Sequence, residues 1–221
     1  VRLILPIAAG LLLAACATKP QTTANLGEEM PLQPAPNDMF GKTLVYRAPD
    51  LDVRKYRGIY IPAAKIYEGA DADWGNTDPA MRERVAERLA EEFRRVLRAR
   101  GRRVLAAPAP GSVTLELTLA GITETRGVAA NALKLTPVGI GITLLKSAAD
   151  LPATFTGSIT IAAKVVESRT DKTLAGIVVR ESPTAIDPRT LGGTEPTAML
   201  ATTKAAEDFA SAIDRAVQAA Q

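Results

Sequence analysis

From Val113 to Leu119 apolar and polar residues alternate without a break. Val113, Leu115, Leu117 and Leu119 fall on one side, and Thr114, Glu116 and Thr118 on the other. A period of two sends these sets to opposite faces of a strand. A second stretch repeats the pattern, with Phe155, Ile159, Ile161 and Val165 opposed by Thr156, Ser158, Thr160 and Lys164. Two half-polar strands in succession imply an antiparallel pair with one face on a core and one facing water.

What covers the apolar face is also written in the chain. Asp78-Pro79 supplies an N-cap and a proline at the first helical position. Met81, Val85, Leu89, Phe93, Val96 and Leu97 then recur on one helical stripe, and Gly101 ends it. A second helix is expected from Thr194-Glu195-Pro196, with Leu200, Phe209, Ile213 and Val217 on its apolar side. Further strands read at Thr43 to Tyr46 and Gly58 to Ile61, separated by the turn-like Ala48-Pro49-Asp50, and at Arg103 to Leu105. Leu174 to Arg180 is the strand returning from a turn at Ser168 to Lys172. The order β-β-α-β-β-β-β-α predicts an α+β two-layer sandwich: a mostly antiparallel sheet of about five to six strands, with two long helices on one face and the Thr/Ser face open. No internal repeat stands out.

Ahead of this domain the composition changes twice. Residues 1–15 hold a short apolar run ending in Leu13-Ala14-Ala15, directly before Cys16, the one cysteine of the chain. The run has the length of a signal-peptide core and falls short of the roughly 20 residues a spanning helix needs. Arg2 is its only cation, so the true start is expected upstream or at a non-standard initiator. The Leu-Ala-Ala-Cys spelling resembles the lipobox of bacterial lipoproteins, where cleavage precedes a cysteine that then carries lipid. Residues 16–41 are rich in Thr, Gln, Asn and Glu, and include Pro20, Pro31, Pro34 and Pro36. Such a segment buries too little apolar surface to offset its chain entropy, and it reads as a disordered tether spanning roughly 25 Å. Residues 42–221 form the single domain. Ala17 is not the aspartate that retains enteric lipoproteins at the inner membrane, so the resemblance implies the outer membrane, facing the periplasm.

The 27 basic and 24 acidic residues leave the chain near neutral, so charge gives no argument for nucleic acid. One cysteine excludes a disulfide framework. The lack of any histidine excludes Ser-His-Asp and Cys-His catalysis and removes the commonest neutral metal ligand.

Tyr46-Arg47-Ala48-Pro49, the Tyr56 to Pro62 stretch, the first helix and Gly111 leading into the alternating strand together resemble an uncharacterised bacterial lipoprotein family, domain of unknown function 3313. The resemblance spans about residues 43–220. It implies an exported, lipid-anchored domain, and it supplies no catalytic residues. The element order is also similar, at fold level, to the amino-terminal domain of the Tol-system translocation protein and to the curli-secretion lipoprotein.

Three stretches are candidates for chemistry. Glu68 to Asp78 crowds oxygen donors, but counted from Asp71 the sixth residue is Asn76 and the twelfth Arg82, so it misses a calcium loop's glycine and glutamate. It reads as a solvated loop, with Trp74 capping the core. Arg94, Arg95, Arg98, Arg100, Arg102 and Arg103 form the densest charge cluster. It reads either as cations complementing a helix C-terminus or as an anion patch centred on Arg98, Arg102 and Arg103. In segment 133–146, Val138, Ile140, Ile142 and Leu144 alternate with small or polar residues, as a buried core piece or as a segment contacting a partner or membrane.

No catalytic constellation, metal site or cofactor site emerges. Thr143-x-x-Lys146 is a poor echo of a Ser-x-x-Lys nucleophile, and Glu91 and Glu92 are expected on the exposed side of the first helix. The expected function is a lipid-anchored binding or assembly module, without catalysis. Its open sheet face and segment 133–146 would meet an envelope protein partner or another copy of the chain. The alternatives are an oligomeric pore or secretion component that inserts this segment, and a histidine-independent hydrolase.

Overall fold

A computed structural model describes residues 30–36, 43–124, 157–183 and 192–219. Cys16, the residues before it and segment 133–146 lie outside the described residues, as do Phe155 and Thr156.

The strands are β1 (Gln33–Pro34), β2 (Thr43–Arg47), β3 (Ile59–Tyr60), β4 (Lys65–Ile66), β5 (Val104–Leu105), β6 (Val113–Thr123), β7 (Ser158–Glu167) and β8 (Thr173–Glu181). Helix α1 spans Pro79–Ala99 and α2 spans Thr194–Gln218. The strand order is β1-β2-β8-β7-β6-β3-β5, with β4 also on β6. The two alternating stretches pair antiparallel, Leu117 opposite Ala163 and Leu119 opposite Ile161. This is an α+β fold with two long helices against a mixed, mostly antiparallel sheet. The expected strand count of five to six rises to eight because β1 and β4 are two-residue pieces with no periodic signal.

The sheet is mixed because β3, β4 and β5 run parallel to their neighbours. β3 and β4 lie along the same edge of β6, interrupted at Pro62, whose nitrogen has no hydrogen to donate to a ladder. Helix α1 then returns the chain so that β5 pairs parallel with β3.

Helix α1 forms as its spelling requires. The Asp78 carboxylate accepts from the Met81 N–H at 2.8 Å. At the other end Gly101 takes φ +73°, and the Arg102 N–H reaches the Leu97 carbonyl at 2.9 Å. Met81, Val85, Leu89, Phe93, Val96 and Leu97 are all buried, over β6. Helix α2 departs from expectation. Its buried face is Thr197, Ala198, Ala201, Thr202, Ala205, Ala206 and Ala210, whereas Leu200, Phe209, Ile213 and Val217 stay half-exposed. Small residues let α2 approach α1 closely, with Phe93 and Phe209 stacked at a tilt, centroids 5.4 Å apart.

The far face of the sheet is not wholly open. Met30 is buried against Ala162 and Val178, with Leu32, Leu44 and Tyr46 around it. Pro34 pairs with Leu44. Residues 30–34, which by composition read as tether, pack on the sheet: Met30 is buried, Leu32 half-buried, and Gln33 and Pro34 pair with β2, contacts that an isolated segment lacks. Ser158 and Thr160 on this face are also buried. Arg180, opposite Thr160, donates to Ser158 Oγ at 2.8 Å and to Thr123.

A second departure concerns Glu92, expected on the exposed face of α1. Its side chain is 1 % exposed, while Glu91 is exposed. It is sandwiched between Arg88 and Arg95, each 2.6 Å away. Burial pushes its pKa up, but hydrogen bonds from Arg95 and from Thr203 of α2, with the Arg88 and Arg95 charges, more than reverse this and hold it below the ordinary value.

Candidate functional site

Of the half-exposed residues of α2, Phe209, Ile213 and Val217 face the sheet across open space. Beneath the last two turns of the helix lies a cavity of about 580 Å³. Val45, Ala175, Val165 and Leu115, from four adjacent strands, form its floor; Phe209, Ile213, Ala216 and Val217 form its roof. The register explains the floor, since Arg47, Ala175, Val165 and Leu115 form one cross-strand row on the helix side.

The side wall is the connection between β2 and β3. Asp52 caps a 3-10 turn at Val53–Lys55 by accepting from the Arg54 N–H at 3.1 Å. That turn meets α2 and brings Leu51, Val53 and Tyr56 to the cavity. An exposed Lys172–Asp50 ion pair links the connection to the β7–β8 turn. Burial raises the Tyr56 pKa, and the Glu167 charge adds to the shift.

The charged lining is of one sign. Arg47, Arg57, Arg102 and Arg103 line the cavity, and no carboxylate does. Arg102 is held by Asp214 of α2, which also takes Arg100 at 2.9 Å. The hydrogen bond from Arg102 lowers the Asp214 pKa most, and Arg100 adds to it. The Arg102 Nε–H is buried and has no hydrogen-bond partner among the described residues. A buried donor left without an acceptor is costly in a folded protein.

The arginine cluster expected as one patch is thus divided. Arg102 and Arg103 line the cavity, whereas Arg98 lies with Glu91, Arg94 and Arg95 around a separate shallow depression. Arg94 donates through Nε and Nη2 to the Ile61 carbonyl, at 3.1 and 2.9 Å. Arg95 is engaged by Glu92. Cys16, Leu13, Ala14 and Ala15, and Val138, Ile140, Ile142 and Leu144, fall outside the described residues.

Arg47, Arg57, Leu51 and Val53 were not readable as site residues. Only their position was available as a signal: Arg47 and Arg57 sit in the two short stretches, Tyr46 to Pro49 and Tyr56 to Pro62, that carry the family resemblance. In the Glu68 to Asp78 loop, Tyr67 donates to Asp71 at 2.7 Å and the Asn76 N–H to Glu124 at 2.8 Å. Trp74 packs on the core with the Arg82 guanidinium 4.9 Å above its ring. Among the described residues no group of three or more His, Cys, Asp or Glu could hold a metal ion, and no helix is long and apolar enough to cross a membrane.

Comparison with known proteins places the chain in a family. A search of the curated proteins returned no match. Among solved structures the chain is similar to a PelC dodecamer from Paraburkholderia phytofirmans, at 10% identity and TM-score 0.41, over 75% of this chain and 94% of that one. It is also similar to a single-substitution variant of that dodecamer, at 9% identity and TM-score 0.39, over 75% and 93% of the two chains. The family model described as a protein of unknown function, DUF3313, matches residues 25–212, and the chain belongs to that family.

Proposed function

We propose that this protein is a lipid-anchored binding module of the cell envelope, without catalysis, and that the cavity under α2 is its ligand site. The cavity carries the reading. Its volume of about 580 Å³ falls within the roughly 300–1,000 Å³ typical of ligand pockets. Its lining is apolar with a few convergent polar groups and includes no nucleophile with an adjacent base. Leu13 to Cys16 would supply the lipid anchor, placing the domain at the periplasmic side of the outer membrane. The reading is tested with the full chain carrying Cys16→Ala and N-phenyl-1-naphthylamine, a neutral apolar fluorophore. One probe should bind per chain. Ala216→Trp, which fills the cavity, should abolish binding while circular dichroism stays unchanged. Failure of the parent chain to bind the probe would overturn the assignment of the site. The anchor is tested separately: mass spectrometry should find acyl groups on an amino-terminal Cys16, and an unmodified, uncleaved end would remove the envelope address.

Assembly is the companion reading, in which the domain meets an envelope partner or its own copies. The pore- or secretion-associated alternative makes segment 133–146 the membrane contact. Native mass of the detergent-extracted protein decides between them: a large closed ring favours the pore component, a monomer or small complex the binding module.

A further inference from the structure

The geometry points to a single-chain amphiphile with an anionic head as the ligand of the cavity. This rests on the binding reading above and adds the chemistry of the ligand. A cavity of about 580 Å³ between sheet and helix, floored by aliphatic side chains and roofed by Phe209 and Ile213, has room for an alkyl chain.

Charge supplies the other end. Four guanidinium groups line the same cavity without a carboxylate among them. Arg57 and Arg103 are exposed and form no ion pair among the described residues. Arg102 contributes an independent observation, because its Nε–H is buried and lacks an acceptor. Asp214 takes Nη2 of that guanidinium and leaves Nε–H without an acceptor among the described residues. A carboxylate or phosphate head beside Arg102 would satisfy this donor, and guanidinium groups suit both through paired, charge-assisted hydrogen bonds. A neutral head would leave the cations uncompensated, and a cationic head would be repelled.

The test uses the full chain carrying Cys16→Ala and four probes of equal chain length: dodecanoate, dodecyl phosphate, dodecanol and dodecyltrimethylammonium. Binding is measured by calorimetry below their micelle concentrations. Both anions should bind one per chain and at least about tenfold tighter than dodecanol, the scale expected of one charge-assisted contact. The cation should bind weakest. In the doubly substituted Arg57→Ala, Arg103→Ala chain, both positions being exposed, the anions should lose most of that preference while dodecanol affinity stays within about twofold. Tighter dodecyl phosphate identifies a phosphate-headed lipid as the source, and tighter dodecanoate a free fatty acid. Equal affinity for anion, alcohol and cation would overturn the headgroup inference and leave the apolar site standing. Failure of all four to bind, together with failure of the neutral fluorophore, would remove the site as well.

Discussion

Met30 occupies the space that a side chain on Gly176 would need. A Cβ built on Gly176 would lie 2.7 Å from Met30 Sδ and 2.9 Å from its Cε. This one contact joins the segment ahead of β2 to the middle of β8, on the sheet face away from the helices. It adds to the β1–β2 pairing that holds residues 30–34 on the sheet, and it yields a pairwise test. Met30→Ala should cost about 2–3 kcal/mol, as for other fully buried methionines. Gly176→Ala should cost about 1–2 kcal/mol by forcing Met30 aside. In the Met30→Ala background Gly176→Ala should be nearly neutral, a coupling of about 1 kcal/mol measurable by urea unfolding. Additive costs would show that Met30 does not rest there.

Glu92 should make the domain sensitive to acid. Its folded pKa lies below the ordinary 4.5, so its contribution is complete above that value and is lost as pH falls through the depressed folded value. Glu92→Gln removes this term. The stability gap between the parent and Glu92→Gln should be widest near neutrality and close as pH falls from 4.5 through the lower folded value. At pH 7 a gap of about 1–2 kcal/mol is expected, less than for a fully buried pair because Arg88 and Arg95 are half-exposed and rehydrate. Thermal unfolding between pH 3 and 7 reads it, and a gap independent of pH would contradict the assignment.

Arg94 should matter for structure rather than for anion binding. Its two hydrogen bonds to the buried Ile61 carbonyl tie α1 to the sheet edge where Pro62 interrupts the ladder. Arg94→Leu should cost about 1–3 kcal/mol through the orphaned carbonyl, and Arg94→Lys less. Chemical denaturation gives the stability, and the anionic-probe affinity should not change.

The alanine face of α2 should be intolerant of bulk. Ala201 and Ala206 have no exposed surface, so Ala201→Leu or Ala206→Leu should cost about 1–3 kcal/mol by overpacking. Leu200→Ala, at a half-exposed position, should cost less than either. The reverse order in melting temperature would restore the larger residues as the buried stripe.

Periodicity carried much of this architecture. The stripe Met81 to Leu97, the alternation Val113 to Leu119, the Ser168 to Lys172 turn and the two helices on one face were legible because each depends on a local repeat of 3.6 or 2 residues and on its caps. The buried stripe of α2 departs from the expected one for a related reason. Large apolar side chains suggest the buried side of a helix, whereas close approach of two helices selects alanine and leaves Phe209 and Ile213 to roof a cavity. Glu92 reads as solvent-facing from its sequence neighbours, and only the fold brings Arg88, Arg95 and Thr203 together on it.

By itself the amino-acid sequence determined the two long helices, the long alternating strands, the buried face of α1 and of β6, and the absence of histidine chemistry. Tertiary structure alone decided the cavity and its arginines. Arg47 and Arg57 lie at the two ends of the β2–β3 connection and Arg102 only after α1, and what assembles them is the order in which strands pair and the distance at which α2 packs over the sheet. Neither quantity has a local period, so no run of residues spells it.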